Sequence, residues 1–390
     1  MLDVHKYLIG VDARLCGSAH AGLGRYIKNL CLRLPFFLPK NYQLVYFFAD
    51  KKQWSEVLLA LPTLNYSPNL KASEIFSRIK IVIAPIAHYT FAEQWRLPAI
   101  FTAEKLDLLH VPHFNLPVLS RTKKIVLTIH DLLWHQKKGL QMTTLKSWQY
   151  YLKHFVYLWV VRLAVARAYK IITPSKISSQ VITKFYPQAQ SKIAVIYNGV
   201  NNFATCQSVA PVPSLPAHFL LYVGSLYPHK NLQLILAALK RRKQLQLVIV
   251  SARDAFWQKL KEQIKQEKLT QRVIFLGHVS DEKLKYLYLH ADCLVQPSLS
   301  EGFGLTGVEA MSLGCKVLAS NIAVFREIYG RAYFAFNPLS LESFLQSLDK
   351  CLQANKNTYQ HVASKQASLY HWDKMTKQVA KLYQQVLSYA

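Results

Sequence analysis

Short apolar runs alternate with longer segments of mixed polarity along almost the whole chain. Runs of this kind are typical of strands buried on both faces, and the segments between them have the length of helices. The alternation predicts an α/β fold with parallel sheets. The predicted strands are Tyr7–Asp12, Gln43–Phe48, Ile79–Ala84, Leu106–Val111, Ile125–His130, Lys170–Thr173, Ile193–Tyr197, Phe219–Val223, Leu245–Val250, Val273–Gly277, Cys293–Gln296 and Lys316–Ala319.

This alternation is interrupted once, where three prolines fall in a stretch with few charges. We interpret that stretch, residues 201–218, as a linker between two Rossmann-like domains, residues 1–200 and residues 219–370. Two such domains would face each other across a cleft, which is a common place for a ligand. Residues 371–390 are predicted to form a final helix.

The composition fits a folded chain of two domains, since 51% of its 390 residues are hydrophobic. No uncharged apolar run reaches the roughly 18 residues that a membrane-spanning helix needs. The first residues, MLDVHKYLIGVDA, lack the basic region and the cleavage site of a signal peptide, which favours a cytoplasmic protein. The six cysteines are scattered without a CxxC pair, so they predict reduced buried thiols rather than a disulfide framework or a zinc site.

The chain is strongly basic, with 48 Lys and Arg against 21 Asp and Glu and a formal net charge of +27. A field of this size favours a polyanionic partner, either a nucleic acid or an anionic membrane surface. Aromatic residues make up 12% of the chain and would suit a water–lipid interface. A highly charged surface without a specific partner is the alternative.

The densest chemistry lies in residues 292–320, DCLVQPSLSEGFGLTGVEAMSLGCKVLAS, which are predicted to form a strand, a glycine loop, a helix and a second strand. In the loop, Gly302 and Gly304 would let backbone N–H groups approach an anion at the positive end of the helix. Two carboxylates flank the loop, Glu301 before it and Glu309 about one turn into the helix. The arrangement suits a nucleotide-sugar, with the diphosphate on the loop and the hydroxyls on the carboxylates.

The same stretch also has a purely structural interpretation. Thr306 and Glu309 have the spacing of a capping box, in which the glutamate reaches back to the start of its own helix. Glycines after a strand often form only a turn. The spacing leaves both interpretations open.

The stretch resembles the donor site of a known family. Its EGFGL-x3-EAM-x2-G pattern is similar to the signature of glycosyltransferase family 4, retaining enzymes with the two-domain GT-B fold. Thr306 and Lys316 stand where proline is common in that family. The resemblance implies that Glu301 acts in catalysis and that a nucleotide-sugar binds to Gly302, Phe303, Gly304, Leu305 and Glu309.

Segments of the first half resemble the same family. After GVDAR, the glycines Gly22 and Gly24, followed by Arg25, precede a predicted helix, and the resemblance implies a loop that reaches towards the diphosphate and the acceptor. His130 ends a predicted strand, where a polar residue faces the crevice of an open sheet. Its IHDL context resembles a family position at which a histidine touches the donor hexose, which implies a catalytic role. A structural histidine is the alternative.

After the linker, the segment LLYVGSLYPHKN also resembles a motif of the family. The resemblance implies that Lys230 pairs with the donor diphosphate and acts in catalysis, although composition alone would favour a solvated surface lysine. Ser225 is expected in the donor site at a position where many members carry arginine. Phosphate binding would therefore depend more on Lys230 and the backbone amides.

One further segment, residues 148–169, is long, aromatic and interrupted by Lys153, Arg162 and Arg167. It is too interrupted to span a bilayer. We interpret it as a helix buried under the first sheet, and interfacial contact with a membrane is the alternative.

The resemblance covers nearly the whole chain and implies a retaining glycosyltransferase that moves a hexose, with mannose from GDP-mannose as the expected donor. The expected acceptor is a glycan or a polyprenyl-linked sugar in surface polysaccharide synthesis. In this family the acceptor attacks from the face that the phosphate leaves. The resemblance also implies that the final helix, which begins at His371-Trp372-Asp373, returns to the first domain.

We expect no cofactor and no metal, because no Asp-x-Asp motif occurs and the histidines lack a flanking acidic pair. The expected location is the cytoplasm, peripheral on the inner face of the membrane, with an anionic membrane surface as a partner. A nucleic-acid-binding protein is the alternative from another class, but no DNA- or RNA-binding signature is visible. A GT-B epimerase or phosphorylase is a second alternative.

Overall fold

A computed structural model of the chain describes residues 5–61, 76–136, 147–200, 209–252 and 256–388. The chain divides into two compact units. The first comprises Met1–Leu132, Tyr151–Gly199 and Trp372–Ala390, and the second comprises Leu133–Tyr150 and Val200–His371.

The first unit is built on a parallel sheet of seven strands in the order β3-β2-β1-β4-β5-β6-β7. The apolar runs of the sequence form these strands, and most of their residues are buried because helices cover parallel sheets on both faces. From β3 to β6 the order is that of a Rossmann fold. The strands are β1 Tyr7–Asp12, β2 Tyr42–Phe48, β3 Ile79–Ile83, β4 Leu108–Val111, β5 Lys124–Thr128, β6 Lys170–Thr173 and β7 Ile193–Val195.

The second unit repeats this plan with six parallel strands in the order β10-β9-β8-β11-β12-β13. Its core includes Leu247 and Ile249 of the second strand in sequence and Cys293 and Val295 of the fourth. The strands are β8 Leu220–Val223, β9 Leu247–Val250, β10 Val273–Gly277, β11 Cys293–Gln296, β12 Val317–Ser320 and β13 Phe334–Phe336.

The described helices connect and cover the strands. Several begin at a polar side chain that accepts a hydrogen bond from a backbone N–H of the first turn, as Asp50, Thr90 and Ser280 do. The helices are α1 Ala21–Phe37, α2 Lys51–Leu58, α3 Phe91–Ala103, α4 Leu133–Gln136, α5 Ser147–Arg167, α6 Lys176–Phe185, α7 Leu232–Arg241, α8 Trp257–Gln266, α9 Asp281–His290, α10 Leu305–Ser312, α11 Ala323–Tyr329, α12 Leu341–Gln353, α13 Lys356–Ala367 and α14 Trp372–Ser388.

The final helix, α14, packs in the first unit. Asp373 at its start accepts a hydrogen bond from Arg33 of α1, with 2.9 Å between Nε and Oδ1. Further along α14, the hydroxyl of Tyr383 lies 2.5 Å from Nδ1 of His110 in β4. The last helix of the chain is therefore part of the N-terminal unit.

The α/β class and the parallel sheets predicted from the sequence are confirmed, and each predicted strand overlaps an observed one. The strand predicted to end at His130 ends at Thr128. The short edge strand β13 was not predicted, because three residues are too few to show a pattern. Residues 201–208 of the predicted linker lie outside the described residues. The five cysteines that the structure describes are buried free thiols.

Candidate active site

The glycine loop of the second unit joins the end of β11 to the start of α10. Gly304 has a φ of +88° and is the last residue before the helix. A Cβ atom on Gly304 would lie 2.2 Å from the hydroxyl oxygen of Tyr329, so glycine is required both by the backbone and by the space available. The loop therefore ends at the N-terminus of α10, where the partial positive charge of the helix favours binding of an anion.

Glu301 and Lys230, both singled out in the sequence, form an ion pair in this loop. Nζ of Lys230 lies 2.5 Å from Oε1 of Glu301, and the hydroxyl of Ser298 donates to the same oxygen at 2.9 Å. Burial alone would raise the pKa of the Glu301 carboxyl, but the attraction of Lys230 outweighs it and the pKa lies below its ordinary value. The side chains remain 19% and 14% exposed for Lys230 and Glu301, so a ligand can reach both.

Lys230 is placed by a tight turn that follows β8. A 3-10 turn, Pro228–Lys230, leads into Asn231, whose left-handed backbone (φ +57°) begins α7. The carbonyl of His229 accepts a hydrogen bond from the backbone N–H of Leu299 at 2.8 Å, which ties this turn to the loop that contains Glu301. The ion pair is thus held by the backbone of two loops at neighbouring strand ends.

A buried polar network that the sequence did not reveal supports the same loop. The hydroxyl of Tyr329 in α11 lies 2.7 Å from Oε1 of Gln296 and 2.8 Å from the carbonyl oxygen of Gly304. Nε2 of Gln296 donates to Oγ1 of Thr306 at 2.7 Å. Thr306, which stands where the family commonly has proline, therefore contributes its hydroxyl to the network. Only the proximity of Gln296 to the loop in sequence could have indicated it.

Glu309 lies in the middle of α10 and is fully buried. Its Oε2 lies 3.4 Å from the hydroxyl of Tyr288. The capping-box interpretation is wrong, because the helix begins at Leu305 after Gly304 and Thr306 is its second residue. The two carboxylates therefore differ, since Glu301 is partly exposed in the loop and Glu309 lies inside the unit.

The other predicted donor residues of the second unit lie in the same two loops or at the start of α10. Gly302 and Phe303 are buried, and the ring of Phe303 packs against Tyr370 with centroids 5.3 Å apart. Leu305 is the first residue of α10. The backbone carbonyl of Ser225 accepts a hydrogen bond from the hydroxyl of Tyr222 at 2.5 Å, which fixes the loop after β8.

In the first unit, His130 lies two residues beyond the end of β5. Its Nε2 lies 3.2 Å from the carbonyl oxygen of Pro112, so Nε2 must donate the hydrogen bond. Burial lowers the pKa of His130 to about 4, although the hydrogen bond to Pro112 opposes this shift. Near pH 7 the imidazole is therefore neutral, with Nδ1 as an acceptor.

His110 occupies a different position, because it is fully buried within β4. Its Nε2 lies 2.7 Å from the hydroxyl of Thr128, and its Nδ1 contacts Tyr383 of α14. Burial lowers the pKa of His110 to about 3. Both ring nitrogens are occupied, so His110 has a structural role.

The sequence placed Gly22 and Gly24 in a loop before the helix, and the structure corrects this. Both lie in the first turn of α1, which begins at Ala21 directly after a 3-10 turn. A Cβ atom on Gly24 would lie 2.0 Å from the carbonyl oxygen of Gly17, so the absence of a side chain allows the chain to fold back here. Gly22 is exposed, and Arg25 lies in the same turn of the helix.

The GVDAR segment forms a buried ionic cluster. The guanidinium of Arg14 bridges Asp12 and Glu93, with 2.8 Å between charged atoms in each pair. Burial would raise the pKa of Asp12, but Arg14 lowers it below its ordinary value. The cluster ties the end of β1 to the first turn of α3.

Within the described residues, no group of three or more His, Cys, Asp or Glu side chains is arranged to hold a metal ion. Over the same part of the chain, the helices are too short or too polar to cross a membrane.

Comparisons with known proteins agree with this architecture. The family described as Glycosyltransferase Family 4 matches residues 22–202, and that described as Glycosyl transferases group 1 matches residues 213–368. The O-antigen chain mannosyltransferase RfbU of Salmonella typhimurium is 26% identical over 307 residues, which are 76% of this chain and 79% of that protein. The O-antigen chain mannosyltransferase B of Escherichia coli is 26% identical over 302 residues, which are 71% and 74% of the two chains.

Solved structures show the same fold. Sucrose-phosphate synthase from Thermosynechococcus elongatus superposes with a TM-score of 0.72 at 18% identity, covering 99% of this chain and 100% of that one. Anabaena HepE in complex with UDP and glucose gives a TM-score of 0.70 at 18% identity, with 97% and 100% covered.

The two parallel sheets, the glycine loop and these matches identify an enzyme, a glycosyltransferase with the GT-B fold. Within that class, the chain is a family 4-like glycosyltransferase.

Proposed function

We propose that this enzyme transfers a hexose from a nucleotide-sugar to a glycan or a polyprenyl-linked acceptor in surface polysaccharide synthesis, with retention at the anomeric carbon. The donor that we favour is GDP-mannose. The names of both O-antigen mannosyltransferase relatives support mannose, whereas HepE was solved with UDP and glucose. The first part of the test therefore identifies the nucleotide base and the sugar of the donor.

The observation that carries this proposal is the contact between Lys230 and Glu301. In a nucleotide-sugar, the β-phosphate and the sugar hydroxyls are neighbours, and a cation beside a carboxylate is complementary to that pair. Lys230 would neutralise charge that develops on the phosphate as the bond to the sugar breaks. Glu301, ionised because of its lowered pKa, would accept hydrogen bonds from the sugar hydroxyls.

We propose roles for three further groups. The backbone N–H groups at the start of α10, after Gly304, would bind the diphosphate together with Lys230. Glu309 would bind the ribose, which requires its buried carboxylate to exchange the 3.4 Å contact with the Tyr288 hydroxyl for a ribose hydroxyl. In the first unit, the neutral His130 would accept a hydrogen bond from the hexose at Nδ1, because Nε2 donates to Pro112.

We propose that the reaction needs no metal ion. Lys230 and the N-terminus of α10 place positive charge where a divalent ion would otherwise offset the leaving diphosphate. The acceptor would attack from the face that the phosphate leaves, so no enzyme nucleophile is required. The nucleic-acid-binding and epimerase alternatives are not favoured by the comparisons.

The test is a panel of GDP-mannose, UDP-glucose, UDP-galactose and ADP-glucose, each assayed for slow hydrolysis and for protection of the enzyme against heat. We expect one donor to be both hydrolysed and protective. NMR of the product sugar should show retention. An epimerase would instead convert the sugar while it stays attached to the nucleotide, and that result would overturn the proposal.

Variants of the ion pair test the site itself. Glu301→Ala and Lys230→Ala should each lower turnover by about 100- to 1,000-fold while the fold survives, the usual effect of losing a preorganised electrostatic contact. Lys240→Ala is a matched control, because Lys240 is an exposed lysine of the same unit, 4.0 Å from Glu267. Unchanged turnover in a folded Lys230 or Glu301 variant would remove that residue from the site.

A further inference from the structure

Helix α5 has two apolar faces, and only one of them is buried. Val161, Ala164 and Val165 belong to the same core as Ile125 and Leu127 of β5, so this face covers the sheet as the sequence predicted. On the opposite face, Phe155 is 68% exposed and Trp159 is 52% exposed, with Leu152 and Val156 exposed beside them. A helix on a soluble surface normally presents polar residues there.

A neighbouring element exposes aromatic residues too. At the start of α3, Phe91 is 93% exposed and Trp95 is 77% exposed. The two elements are neighbours, since the ring of Phe114, which packs against the core together with Tyr157, has its centroid 5.1 Å from that of Tyr157 in α5 and 6.3 Å from that of Tyr89 just before α3. We call Leu152, Phe155, Val156, Trp159, Phe91 and Trp95 the aromatic face.

The charges around the aromatic face are positive. Helix α5 contains no Asp or Glu, and its Lys153 and Arg162 are exposed. In α3, Arg96 is exposed beside Trp95, whereas the acidic Glu93 is buried against Arg14. Such a surface is complementary to an anionic partner.

The combination of exposed aromatic rings with exposed Lys and Arg side chains is that of a helix lying in a lipid interface. From Leu152 to Trp159 the helix rises about 1.5 Å per residue, so the exposed side chains extend roughly 10 Å along its axis. A helix lying flat on a bilayer would insert all of them together. We propose that the aromatic face docks on an anionic lipid bilayer, which, resting on the proposed function, would bring the site to a lipid-linked acceptor.

The experiment measures co-sedimentation of the full chain with vesicles of phosphatidylcholine alone or mixed equally with phosphatidylglycerol. We expect binding to the mixed vesicles and little to the neutral ones. Phe155→Ser combined with Trp159→Ser should weaken binding by about tenfold or more, each factor of ten corresponding to about 1.4 kcal/mol. Arg162→Gln should weaken binding at low salt and have less effect at high salt.

The matched control is Leu339→Ser, which removes an 83% exposed apolar side chain from the second unit and should leave vesicle binding unchanged. Circular dichroism and melting temperature confirm that each variant is folded. Hydrolysis of the donor in the absence of vesicles should be the same in the double variant and the natural chain. This readout separates the two proposals, because loss of vesicle binding with hydrolysis intact concerns the aromatic face alone.

Equal vesicle binding by the natural chain and the folded double variant would overturn the inference. So would a natural chain that ignores both kinds of vesicle. If the natural chain also sediments as a dimer that Phe155→Ser with Trp159→Ser converts to a monomer, the aromatic face is an interface between two copies. If it binds RNA with a steep salt dependence instead, the positive charge serves a nucleic acid.

Discussion

The hydroxyl of Tyr329 offers a sharp test of how the donor loop is held. Tyr329→Phe removes the hydroxyl group and leaves the ring, which stacks on Phe325 with centroids 4.6 Å apart, in place. The tyrosine is fully buried, and burial together with the nearby Glu301 carboxylate raises its pKa well above the ordinary value. The hydroxyl therefore stays protonated and remains a donor throughout the working pH range.

The size of the effect follows from the two acceptors that lose this donor. Oε1 of Gln296 at 2.7 Å and the carbonyl oxygen of Gly304 at 2.8 Å share one hydroxyl proton. The Gly304 carbonyl also accepts from the backbone N–H of Gly307 at 3.1 Å, so the larger loss falls on Oε1 of Gln296. Leaving a buried acceptor without its donor costs about 1–3 kcal/mol. For a unit of this size, each kcal/mol lowers the melting temperature by roughly 2–4 °C.

Turnover should fall as well, because Gly304 ends the loop whose backbone N–H groups we propose to bind the diphosphate. We expect weaker donor binding and a loss of kcat of about tenfold, since a small displacement of a positioned group is costly. Tyr333→Phe is the matched control: Tyr333 packs on Tyr329 with centroids 5.6 Å apart, and the described residues show no hydrogen bond to its hydroxyl. If both variants melt and turn over alike, the network does not position the loop.

Three further predictions follow from the site and its surroundings. Glu309→Gln should weaken nucleotide binding by about ten- to one-hundredfold with little change in melting temperature, because glutamine keeps the size of the side chain but replaces one acceptor oxygen by a donor, and a hydrogen bond left unmade costs about 1–3 kcal/mol; unaltered affinity in calorimetry would make Glu309 structural. Activity should persist in excess EDTA, and loss that is restored by manganese or magnesium would refute the metal-free mechanism. The free energy of unfolding should fall as pH is lowered from about 6.5 to about 4. In the folded chain His110 and His130 have pKa values of about 3 and about 4, so over this range the unfolded chain binds protons that the folded chain does not bind. The contribution to the slope of the free energy of unfolding against pH should approach 1.4 kcal/mol per pH unit for the fully buried His110 and be smaller for the partly exposed His130. A free energy of unfolding that does not change with pH in denaturant titrations would contradict this prediction.

The sequence was informative about the fold because buried parallel strands leave a clear pattern. Runs such as CLVQ in β11 and LVIV in β9 are apolar and bounded by polar segments, so their strands could be predicted within a few residues. Strand order could be anticipated only as Rossmann-like, because pairing joins residues far apart in sequence. The edge strand β13 has three residues and pairs with β12 alone, so it left no signal.

The site was predicted less completely, and for a physical reason. Glu301 and Lys230 are 71 residues apart and could be paired only through the resemblance to a family. The supporting contacts of Tyr329 with Gln296 and Gly304 join α11 to β11 and its loop, and no short motif records such a contact. For α5 the sequence favoured burial under the sheet and left membrane contact as the alternative, because apolar residues indicate burial equally on both faces of a helix.

Burial separates the two charged motifs that the sequence presents alike. Arg14 and its partners Asp12 and Glu93 have side chains that are at most 4% exposed, so no ligand can replace a partner without leaving a charge buried and unpaired. Lys230 and Glu301 keep part of their surface in water. The ammonium of Lys230 can therefore contact an incoming phosphate, and the carboxylate of Glu301 can contact an incoming hydroxyl. The arginine of GVDAR therefore acts as scaffold for the first sheet, whereas the lysine after β8 keeps the exposure that its proposed role in catalysis requires.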